Sequence, residues 1–172
     1  LSTADPGRRL EAERVGLQIV AESVGSESLE PTHVSTRFLR EIRRVTGAED
    51  PFAARKAQEI ALAHAVFARM AIPEREDLGT LLRLAVAGNA IDFFRPLGEV
   101  EADMRALPPF AVDHTDRVAS LLEQARGPVV LLADNAGELV FDLPLLGALA
   151  RWGLMVVLGV KGAPSQNDVT LV

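Results

Sequence analysis

Two short apolar runs near the C-terminus, Val129–Ala133 and Val156–Val160, each stop abruptly at polar, charge-bearing residues. Between them lies a stretch about as long as one crossover helix, so the pattern predicts a strand–helix–strand unit with parallel strands. That topology brings Asp134, Asn135, Lys161, Asn167 and Asp168 to the carboxyl ends of neighbouring strands. Open α/β sheets bind ligands at that edge, and Asp and Asn oxygens beside a lysine suit a hard cation holding a phosphate.

The first two-thirds of the chain reads as helices. Apolar residues recur at helical spacing over Arg8–Val24, Thr36–Thr46, Pro51–Met70 and Glu74–Asn89, with Gly47 closing the second and Asp50–Pro51 opening the third. Gly98 and Pro108–Pro109 mark a connector. A further helix is expected from Thr115 or Asp116 to Arg126, and Pro144 should kink the crossover helix. We therefore expect an α/β chain with a helical region over 1–95, a connector over 96–115 and the start of a parallel-sheet core over 116–172. Because two parallel strands make a poor sheet alone, further strands are expected from a longer chain or from another one.

Composition removes several alternatives. No run of 18 apolar residues predicts a membrane span, and the first ten residues show no apolar signal region. A net charge of −6 argues against a nucleic-acid groove, and Arg37, Arg40, Arg43 and Arg44 read as a solvated helix face interrupted by Glu41. The chain has no cysteine, which excludes disulfides and thiolate ligands and fits a cytoplasmic protein. The three histidines, His33, His64 and His114, lack metal-ligand spacing.

At the first strand tip, Asp134 supplies an anionic oxygen and Asn135 a neutral one. Ala136–Gly137 lets backbone come close, and the following helix should present free N–H groups to an anion. Glu138 falls in the first helical turn, where a carboxylate also suits the macrodipole. Lys161 sits just past the second strand, ahead of a loop bearing Gly162, Pro164, Asn167 and Asp168. A third constellation, Gly88–Asp92, sets Asn89 and Asp92 three residues apart. Taken singly, each block also has a plain reading as a turn, an N-cap or a helix end.

Together these blocks carry a resemblance. DNAGELVFD at Asp134–Asp142, KGAPSQND at Lys161–Asp168 and GNAID at Gly88–Asp92 resemble the three signature blocks of the metal-dependent damage-control phosphatases (domain of unknown function 89). DPFAARKAQEI at Asp50–Ile60 is similar to that family's helical region, and the GN-x-x-D form resembles its microbial subfamily. The resemblance implies a Rossmann-like α/β/α core with parallel strands behind a helical N-terminal bundle, in a family whose members are typically longer than this chain. It also implies a divalent metal and a small phosphorylated metabolite, often a sugar phosphate or a damaged cofactor precursor; hard oxygen ligands suit Mn²⁺ or Mg²⁺, with Co²⁺ and Ni²⁺ as further options.

Carried over by position, Asp134, Asn135 and Asp168 match the metal ligands, and Asp134, Lys161 and Asp168 would carry the chemistry. Asn89, Asp92, Gly137, Glu138, Lys161 and Asn167 would face substrate, with Asn167 a further option for the metal. The expected reaction is metal-assisted phosphomonoester hydrolysis. An aspartyl-phosphate route ranks lower, because the second aspartate it needs two positions after Asp134 is Ala136. Two other classes stay open: an S-adenosylmethionine-dependent methyltransferase, for which Ala133–Glu138 offers only one glycine, and a non-catalytic metabolite-binding module.

Overall fold

A computed structural model of the chain describes residues 3–24, 30–70, 77–89, 107 and 109–171. These form six helices and one two-stranded sheet in a mixed α/β arrangement. The chain divides into two compact units, Leu1–Ala54 with Ala163–Gln166 and Arg55–Gly162 with Asn167–Val172. The connector expected over 96–115 falls mostly outside the described residues.

The first unit contains α1 (Pro6–Ser23) and α2 (Pro31–Thr46), which pack against each other. Asp5 starts α1, its side chain accepting the Gly7 and Arg8 N–H groups while Pro6 takes the first turn. Ala12, Gly16 and Ile19 are its buried stripe. Helix α2 begins at Pro31, five residues ahead of the expected Thr36, because proline is pre-set for a first helical turn where its missing N–H costs nothing. It ends as expected at Gly47, in the left-handed conformation with φ 69°. Within the arginine cluster, Arg37 pairs with Glu22 at 2.7 Å and Arg44 with Glu41 at 2.7 Å, all on the surface. Such largely exposed pairs contribute about 0–1 kcal/mol each, whereas Arg43 in the same cluster has its Nε buried without a hydrogen-bond partner among the described residues.

The second unit holds the sheet. Helix α3 (Ala53–Phe67) begins where the two units divide, and Asp50 Oδ1 accepts the Phe52 N–H at 2.8 Å in the turn ahead of it. Pro51 therefore lies in that turn rather than in the first turn of the helix. Helix α4 (Leu78–Gly88) is capped by Asp77, whose carboxylate accepts the Thr80 N–H at 2.9 Å. Then follow α5 (Thr115–Glu123), β1 (Val129–Leu132), α6 (Leu139–Arg151) and β2 (Val156–Gly159). β1 and β2 pair in parallel, Val129 opposite Val156 through Leu132 opposite Gly159, as the sequence predicts. Helix α6 continues across Pro144 to Arg151.

Two apolar clusters fix these elements. Ala63 and Val66 of α3, Leu84 of α4, and Val140 and Phe141 of α6 form one, with the Phe67 and Phe141 rings edge-to-face at 5.5 Å. Leu81, Leu145, Ala148 and Leu149 form the other, beneath the sheet face that carries Val129, Leu131 and Val156. Helices α4 and α6 thus brace β1 and β2 from one side. The opposite sheet face, with Val130 at 54% and Leu132 at 80%, is exposed. Among the described residues no helix is long and apolar enough to cross a membrane.

Candidate active site

The chain leaves both strands at the same edge and is there cross-bonded by main-chain groups. Asn135 and Asp168 form an antiparallel bridge. Val169 N–H donates to the Asp134 carbonyl at 2.8 Å, Ala136 N–H to the Asn167 carbonyl at 2.9 Å, and Lys161 N–H to the Val169 carbonyl at 3.0 Å. Asp134, Asn135, Lys161, Asn167 and Asp168, predicted to meet at the strand ends, are brought together by these bonds. Gln166, with φ 48°, turns the chain through the left-handed region immediately before Asn167.

Side-chain electrostatics follow from that backbone. Asp168 is buried, and the exposed Lys161 places Nζ 3.5 Å from its Oδ2. Burial raises the Asp168 carboxyl above its usual range, Lys161 opposes the rise, and the neighbouring Asp134 carboxylate adds to it. Two carboxylates that disfavour each other's charge are donors that suit a hard divalent cation. Among the described residues no three His, Asp or Glu side chains converge to hold a metal.

Glu138 precedes α6 as its N-cap residue. Asn89, the C-cap of α4, donates through Nδ2 to Glu138 Oε1, while Oε2 is buried with no hydrogen-bond partner. Burial first, then the Asp142 and Asp134 carboxylates, push the Glu138 carboxyl up to about 7, against a stabilising bond from the Asn135 backbone. Asp92, expected alongside Asn89, lies outside the described residues. Gly137 lies flat against α3: a Cβ there would come 3.3 Å from Glu59 Cβ and 3.4 Å from the Glu59 carbonyl oxygen. No side chain larger than hydrogen fits this approach without displacement.

The anion cradle expected at the start of α6 differs from the expectation. The N–H groups of Leu139, Val140 and Phe141 donate to the carbonyls of Asn135, Gly137 and Glu138, so the turn itself consumes them. Lys161 places a basic side chain beside the strand-end carboxylates, paired with Asp168. Glu59, within the Asp50–Ile60 stretch, is not among the expected site residues. This carboxylate on α3 is only 2% exposed and receives the Asn167 amide at both oxygens, Nδ2 lying 2.9 Å from Oε1 and 3.0 Å from Oε2. The available signal was the buried stripe of α3, in which Lys56 and Glu59 fall in register with Ala63 and Val66.

Comparison with known proteins bears on the family and the fold. The model of the damage-control phosphatase ARMT1-like domain matches residues 8–172. A damage-control phosphatase of Archaeoglobus fulgidus is 29% identical over 165 residues, covering 90% of this chain and 56% of that protein. An uncharacterized protein of Methanocaldococcus jannaschii is 26% identical, over 88% of this chain and 53% of its own length. The chain thus spans about half the length of these curated relatives. The crystal structure of a DUF89 family protein from Pyrococcus horikoshii superposes with a TM-score of 0.81 at 22% identity, over 98% of this chain and 60% of that one, which establishes likeness of fold. With a family model spanning residues 8–172, nearly the whole chain, this protein belongs to the damage-control phosphatase ARMT1-like domain family.

Proposed function

We propose that the protein is a divalent-metal-dependent phosphatase acting on small phosphorylated metabolites, sugar phosphates foremost. The observation that carries this reading is the main-chain cross-bonding of the two strand ends, which sets the Asp134–Asn135 pair against Asp168 and Lys161. Asp134, Asn135 and Asp168 would hold the cation, Mg²⁺ or Mn²⁺ by the hardness of their oxygens, with Co²⁺ and Ni²⁺ as alternatives. When bound, such a cation supplies positive charge and Lewis acidity at the phosphoryl group.

The remaining groups act from the protein side. Lys161, half-exposed and 3.5 Å from Asp168 Oδ2, would offer positive charge to the phosphoryl oxygens, matching the spread-out negative charge of a phosphoryl-transfer transition state. Glu138, whose Oε1 accepts the Asn89 amide, would face substrate from the start of α6. Ala136 is buried two positions after Asp134 and has no group to protonate a leaving oxygen, which disfavours an aspartyl-phosphate route. Family membership favours a phosphatase over a methyltransferase or a binding module. We read the two parallel strands and their helices as part of a Rossmann-like core, and the cysteine-free composition supports a cytoplasmic setting.

The test is phosphate release by the full-length protein from an aryl phosphate and a panel of sugar phosphates, with chelator or with Mg²⁺, Mn²⁺, Co²⁺ or Ni²⁺. Turnover that appears with metal and vanishes with chelator is expected. A folded protein that releases no phosphate with any metal contradicts the proposal.

A further inference from the structure

We propose that Glu59, on a helix that contributes none of the strand-end residues, is a positioning residue that sets which end of the Asn167 amide faces the site and holds the Asp168 segment against the Asp134–Asn135 turn. The inference rests on the metal-site reading above and names a group that acts on it from outside.

The geometry is specific. An asparagine amide has a donating NH₂ end and an accepting oxygen, and which faces where is decided by its partners. Here one nitrogen, Nδ2, reaches both oxygens of Glu59, at 2.9 and 3.0 Å. A carboxylate offers only acceptors to that nitrogen, so the reversed amide would set oxygen against oxygen. Glu59 therefore turns Oδ1, the one side-chain acceptor of Asn167, away from α3. Removing the carboxylate removes the reason for that orientation, and the amide becomes free to rotate.

The same contact also anchors the main chain. The Asn167 carbonyl accepts the Ala136 N–H, and the adjacent Asp168 forms the bridge with Asn135. On the other side, Gly137 rests on the Cβ and carbonyl of Glu59 itself. One residue of α3 thus touches both segments that would hold the cation. Arg55, one turn earlier on α3, brings Nε to 3.9 Å from Glu59 Oε1 and steadies the carboxylate in place. Burying a carboxylate is costly, and a helix needing only a filled core would place an apolar residue between Lys56 and Ala63. The hydrogen bonds to Asn167 offset that cost and link α3 to a residue 108 positions away. Groups that orient metal ligands from behind typically change metal affinity about 10- to 100-fold when lost.

The experiment is a calorimetric Mn²⁺ titration of the full-length, chelator-treated protein as wild type, Glu59→Gln, Asn167→Ala and the double variant, with thermal unfolding of each recorded in the absence of metal. Glu59→Gln is expected to stay folded and to weaken Mn²⁺ about tenfold or more. In the Asn167→Ala background the same change should have no further effect, because Glu59 acts through Asn167. Should Gln at this buried position prevent folding, Glu59→Asp enters the same cycle, keeping the charge and withdrawing it by one methylene. Unchanged Mn²⁺ affinity in the Glu59 variant, or an equal loss with and without Asn167, overturns the role of Glu59. A wild type that binds no Mn²⁺ instead overturns the metal reading on which it rests, so the two failures are told apart.

Discussion

Asp142 shows how a single buried acid in a site block writes itself into stability. It lies on α6, 7% exposed, and burial pushes its carboxyl up to about 6. In the unfolded chain the same group titrates near 3.9, so the folded state binds its proton more tightly. The resulting stability is complete below about pH 4, falls as pH rises towards 6, and is absent above that. Asp142→Asn removes the charge and keeps the shape. Denaturant midpoints should therefore match wild type at pH 4, while at pH 8 the variant should be the more stable by on the order of 1–3 kcal/mol. Parallel pH profiles for the two proteins would show that the carboxyl is better solvated than its burial indicates.

Helix–helix contact at Gly88 decides where Glu138 stands. A Cβ added there would lie 3.0 Å from Phe141 Cβ and 3.2 Å from both Cγ and the carbonyl oxygen of Glu138. Neither α6 backbone nor the Phe141 stem can swing aside, so Gly88→Ala should force α4 and α6 apart. The expected cost is about 1–3 kcal/mol in chemical denaturation, larger than what alanine gains in helix propensity, together with reduced phosphatase activity as Glu138 shifts. An alanine variant as stable as wild type would show that this contact is loose.

The elements themselves were legible to different degrees. β1 and β2 could be read because each apolar run ends at charge, and that sharp boundary survives folding as the strand tip. The start of α2 was harder, since Pro31 lies well ahead of the apolar period that marks the rest of the helix. Asp5 and Asp77 cap their helices through side-chain bonds that many loop aspartates could equally make, so the sequence does not single them out. Glu59 illustrates the deeper limit. Helical spacing reveals which residues share a stripe, but only the fold reveals that Asn167, far along the chain, covers this one. The expected N–H cradle at α6 went astray for a local reason, because the turn from Asn135 to Glu138 supplies its own acceptors.

At the scale of the whole molecule, a parallel pair of strands with an intervening helix delivers chemistry to one edge, while α3 and α4 approach it with Glu59 and Asn89. The topology follows from local sequence, and the site follows from topology plus a few long-range contacts. On the proposed function, the Asp134–Asn135 turn is the metal-holding centre of a phosphatase. The measurement that tests this most directly is phosphate release from the best substrate of the panel by Asp134→Ala and wild type, both full-length, folded and saturated with Mn²⁺. Activity of the variant should fall to the level of chelated wild type. Turnover in Asp134→Ala that remains metal-dependent and close to wild type would place the catalytic centre elsewhere in the protein.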